Sequence, residues 1–61
     1  MANLTTKELS ALEDQLNYEQ MLVKKYNTMS GQCTDQSIQS SLKNIAQLHQ
    51  KHFDKLITYL N

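Results

Sequence analysis

Six lysines against six acidic side chains, with no arginine among 61 residues, leave a net charge of zero. No basic surface is then available to follow a phosphate backbone or an anionic bilayer, which argues against nucleic-acid and membrane partners. Apolar content of 39% with one glycine and no proline fits a single soluble domain over residues 1–61, without linker or disordered tail.

The N-terminus, Met1-Ala2-Asn3-Leu4, lacks a basic start followed by an apolar run, so no export signal is read there and a cytoplasmic protein is expected. Thr5-Thr6-Lys7-Glu8 then reads as a capping box, in which the Thr5 hydroxyl accepts from the Glu8 amide and the Glu8 carboxylate reaches back to the Thr5 amide. Leu4 and Leu9 have the spacing of a hydrophobic staple around that cap. From there Leu9, Leu12, Leu16, Glu19, Val23 and Tyr26 recur at steps of three and four, the seam of a helix predicted over about residues 5–30. Glu8, Glu13 and Asp14 early in it and Lys24 and Lys25 late in it oppose the helix macrodipole.

Gly31, the single glycine, is the expected helix stop, since glycine takes positive φ without a Cβ clash. A turn follows over about residues 31–34, in which the lone Cys33 is expected to be a small loop residue of a reducing compartment. Thr34 and Asp35 supply acceptors for the free amides of a second helix over about residues 35–60. Its seam is read as Ile38, Leu42, Ile45, His49, His52, Leu56 and Tyr59, widened by Leu48, Phe53 and Leu60.

The fold class is therefore all-α, a two-helix antiparallel hairpin of helices about 24 residues and about 36 Å long. One helix-helix contact leaves most of each stripe wet, and a chain of this size is marginal alone. Association of two hairpins about a two-fold axis into a four-helix homodimer is the expected working form.

Within that seam the polar residues are the informative ones. Folding the hairpin at Cys33 places Glu19 within about a turn of His49 and His52. A carboxylate on a core stripe is expensive unless paired, hydrogen-bonded or metal-bound, and histidines three apart project side by side. Glu19, His49 and His52 are thus candidate metal ligands, suited to iron or zinc, and two-fold symmetry would double the set. The plainer role of the same layer is to fix register and oligomeric state. Tyr18 and Tyr26 are the nearby hydroxyls, with packing as their plainer role.

One helix with an inward glutamate and a second carrying a ligand-x-x-His pair resembles half of the ferritin-like di-iron bundle. Glu19 matches the first glutamate and His52 the histidine, whereas His49 stands where that family has a bridging glutamate. The Leu4-Thr-Thr-Lys-Glu-Leu9 run, the segment from Glu19 to Tyr26 and His49-Gln-Lys-His52-Phe53 resemble short spore-coat-type proteins related to the coat F family. That resemblance spans nearly the whole chain and implies a ferritin-like hairpin, a spore-coat setting and coat or assembly proteins as partners.

Enzymatic readings find few parts. There is no glycine-rich phosphate loop, and the serines lack an adjacent histidine and carboxylate for a triad. Ser10 and Asp14 have the outer spacing of the Ser-Gln-x-x-x-Asp motif of sporulation aspartyl-phosphate phosphatases, but Ala11 replaces the glutamine. The reading is of a non-enzymatic structural or assembly protein with no required cofactor. A metal-binding bundle is the alternative.

Overall fold

A computed structural model of the chain describes residues 3–60. Met1 and Ala2, on which the export-signal reading partly rests, lie outside the described residues, as does Asn61. Helix α1 spans Thr6–Gln32 and helix α2 spans Gln36–Ile57, closed by a 3₁₀ turn over Thr58–Leu60. The two helices lie antiparallel and form a rod of 46 × 15 × 11 Å. The all-α hairpin is as the patterning predicts. No helix among the described residues is long and apolar enough to cross a membrane.

The start of α1 follows directly from local chemistry. Thr5 is the N-cap; its hydroxyl accepts from the Glu8 amide at 3.1 Å, and the Thr5 amide donates to Glu8 Oε1 at 2.9 Å. Two of the four amides that a helix start leaves without partners are satisfied at once. The amide of Thr5, and its side chain after it, hold the Glu8 carboxyl below the usual carboxylate range. Asp35 does the same work for α2, its Oδ1 accepting from the Ile38 amide at 3.0 Å.

Between the caps the turn differs from the expectation. Gly31 does not stop α1 but lies inside it, and no described residue has positive φ. The helix instead leaves through Cys33 in an extended conformation, with the Cys33 amide donating to the Ser30 carbonyl at 3.2 Å. A terminal carbonyl is thereby satisfied without the left-handed residue, and glycine inside a helix costs only about 1 kcal/mol. The turn is thus residues 33–35 rather than 31–34, and α2 begins at Gln36. Cys33 is a half-buried free thiol whose Sγ lies 3.5 Å from the Asp35 carbonyl oxygen.

The core is narrow. Leu16, Leu22 and Ala46 are the buried apolar residues, flanked by half-buried Leu12, Val23, Tyr26, Leu42, Phe53 and Leu56. On α1 the predicted seam holds from Leu12 to Tyr26, while Leu9 is exposed. On α2 it is corrected: Leu42, His49, Phe53 and Leu56 face the partner helix as read, but they are joined by Gln39 and Ala46 rather than by Ile38, Ile45, His52 and Tyr59. Ile38 remains 53% exposed and Tyr59 46%. A seven-residue repeat marks two adjoining ridges of one helix equally well, and the contact with α1 has rotated toward the small side chain of Ala46, which admits a close approach.

Candidate functional site

Two polar features tie the helices together. Near the turn, Ser30 is buried and its hydroxyl donates to the Gln39 carbonyl at 3.2 Å. Gln39 Nε2 returns a hydrogen bond to the Ser30 carbonyl, also at 3.2 Å. The last turn of α1 is thus clamped to the first turn of α2, beside the carbonyls that a helix end leaves free. The sequence reading passed over this pair, because serine and glutamine at seam spacing look like solvent-facing filler. Their positions either side of the turn are the signal that could have revealed it.

At mid-helix lies the second feature, and it assembles all three predicted ligands. Glu19 is 3% exposed, the most costly residue in the core to bury. Its Oε1 lies 2.7 Å from His49 Nδ1 and its Oε2 lies 3.2 Å from His52 Nδ1, so each carboxylate oxygen has its own imidazole partner. Among the described residues no buried side-chain nitrogen or oxygen lacks a hydrogen-bond partner. Burial pushes the Glu19 carboxyl up, but the hydrogen bond from His49 and the fields and contacts of both histidines outweigh it, and the net direction is down. Glu19 is therefore held as the acceptor of the cluster.

The three side chains differ in freedom. The His49 side chain is 20% exposed and stacks on Tyr26, with ring centroids 5.9 Å apart and planes 9° from parallel. Lys25 Nζ lies 5.8 Å from the centroid of the same tyrosine ring. Tyr26 thereby fixes the plane of His49, the packing role that its sequence position indicated. The His52 side chain is 49% exposed, against the expectation that both histidines lie on the buried face. Its ring meets that of His49 edge-on, with centroids 5.6 Å apart and planes at 85°. One ligating atom from each of Glu19, His49 and His52 fits within a set no wider than 4.8 Å. A carboxylate and two imidazoles at this spacing can share protons or hold one divalent ion.

Ser10, Ala11 and Asp14 all lie exposed on α1, and the described structure gives the serine and aspartate no hydrogen-bonded partner side chain that would make them a reactive pair.

The fold and this layer define the chain as a two-helix hairpin with a buried glutamate bridged by two histidines. No protein-family model matches it, and no solved structure gives a significant match. The chain is 30% identical over 57 residues to "Uncharacterized protein YuzM" of Bacillus subtilis (strain 168), covering 93% of this chain and 70% of that protein. It belongs to the family of YuzM.

Proposed function

We propose that the hairpin is a non-enzymatic assembly module, working as a homodimer in which two copies form a ferritin-like four-helix bundle. The observation that carries this reading is surface left uncovered. The chain exposes 4780 Å², whereas a compact monomer of its mass exposes about 4100 Å². The excess, roughly 700 Å², is close to the share of about 800 Å² that one partner buries in a standard interface.

Much of the exposed apolar surface also gathers on one side. Asn17, Gln20, Lys24 and Asn27 of α1 line a groove with Gln50 of α2, beside Met21 and Val23, and mark one side of the hairpin. Helical geometry then sends Tyr18 and Met29 of α1, with Ile38, Ile45 and Leu48 of α2, to the opposite side, and Tyr59 follows in the 3₁₀ turn. Each of these six is at least 36% exposed. The occupant that best matches such a face is a second copy of it: the chain has no net charge to repel its like, and a two-fold contact requires only self-complementarity. Buried polar contacts such as Glu19 with His49 would then fix register within the bundle. In the spore-coat setting that the resemblance implies, such dimers would be building or adaptor units for coat or assembly proteins within the cell.

Sedimentation equilibrium of the full chain at micromolar concentration tests this. A dimer that Ile45→Glu converts to a helical monomer is the expected result. A wild-type chain that stays monomeric and folded would overturn the proposal.

A further inference from the structure

We propose that Glu19, His49 and His52 of a single chain form a binding site for one divalent transition-metal ion of the zinc, cobalt(II) or iron(II) type. All three ligands come from one hairpin, so the site is independent of the dimer proposed above. Its chemistry is that of borderline ions, which favour imidazole nitrogen with a carboxylate oxygen over the all-oxygen shells of magnesium or calcium.

The geometry is close to what such an ion needs. Bonds of about 2.0–2.2 Å to nitrogen and oxygen set tetrahedral ligands roughly 3.3 Å apart. The Glu19 carboxylate already lies 2.7 Å from His49 Nδ1 and 3.2 Å from His52 Nδ1. The remaining adjustment is to bring both imidazole nitrogens onto one ion, starting from a set no wider than 4.8 Å, and the two ends of the pair suit it differently. His49 is held in plane by the ring of Tyr26, so one imidazole is set in advance. His52, half exposed, can rotate without disturbing the core.

Loading the site balances simply. A neutral imidazole whose Nδ1 hydrogen faces Glu19 moves that hydrogen to Nε2 and presents the Nδ1 lone pair; a protonated one releases a proton to solvent. The carboxylate exchanges its two imidazole hydrogen bonds for a metal bond, so its burial stays compensated. Three protein ligands leave at least one coordination position, which water would fill.

The test is titration of the purified full-length chain with cobalt(II) chloride, followed by its visible absorption and by isothermal calorimetry, with zinc chloride in competition. One equivalent per chain, a ligand-field band, and at least about tenfold weaker binding in both Glu19→Gln and His52→Gln are expected. Cys33→Ser should bind as the wild type does. His52→Gln alters a half-exposed side chain, and circular dichroism of each variant confirms that the helices persist. Absence of stoichiometric binding by the folded wild type would overturn the site. So would binding that survives in Glu19→Gln and His52→Gln, or that is lost with Cys33.

Discussion

Helix α2 carries two adjoining ridges of similar sequence character and opposite fate. The inner one, Leu42, Ala46, His49, Phe53 and Leu56, packs against α1; the outer one, Ile38, Ile45 and Leu48, continued by Tyr59 of the 3₁₀ turn, is at least 36% exposed at every position. Hydrophobic patterning does not distinguish them, because both repeat at seven residues. What separates them is the partner: α1 offers one seam, and one seam covers one ridge. The apolar residues of this short helical hairpin therefore divide into a part that folds the chain and a part that α1 leaves exposed, the part that the proposed dimer would cover.

That division can be broken from the inside first. Leu16→Ala, at a 7% exposed position, should cost about 2–4 kcal/mol, measured by urea denaturation at fixed protein concentration. A change of this size is a large part of the stability of a domain this small. The polar layer comes next. Glu19 titrates lower in the folded chain than in the unfolded one, so its contribution is complete above about pH 4.3 and is lost as pH falls through the lower folded value. Thermal melts of the wild type should therefore fall more steeply below pH 4 than those of Glu19→Gln; parallel curves would remove Glu19 from the account. Glu19→Leu, which replaces the buried charge by a side chain that packs, should at neutral pH retain or raise the melting temperature while loosening the preference for one oligomer.

Smaller effects sharpen the picture at the ends. Asp35→Ala removes the cap of α2 and should cost about 1 kcal/mol by denaturation. Gly31→Ala should stabilise by about 0.5–1 kcal/mol, since Gly31 is helical and an added Cβ meets nothing within 4 Å. If Gly31 were instead a left-handed stop, the same change would destabilise. Ile45→Gln, on the outer ridge, should alter the stability of the monomeric hairpin by less than about 0.5 kcal/mol. Its effect belongs to the concentration dependence of melting.

Legibility in the sequence followed how local each determinant is. The capping box at Thr5 and Glu8 and the cap at Asp35 involve residues three apart, and both are present where local chemistry places them. Glu19, His49 and His52 could be grouped because a tight turn leaves antiparallel helices little freedom of register. The exit of α1 was misread because glycine permits a left-handed turn without requiring one. Ser30 with Gln39, and the choice of Ala46 over Ile45, depend on how α1 lies across α2, a property of the pair that neither helix carries alone.

The central claim, that the outer ridge exists to be covered by another copy of the chain, is tested most directly by native mass spectrometry of the untagged protein across a micromolar concentration series. The account predicts a dimer that gives way to monomer on dilution and is abolished by Ile45→Glu. A folded monomer persisting throughout the series would contradict it.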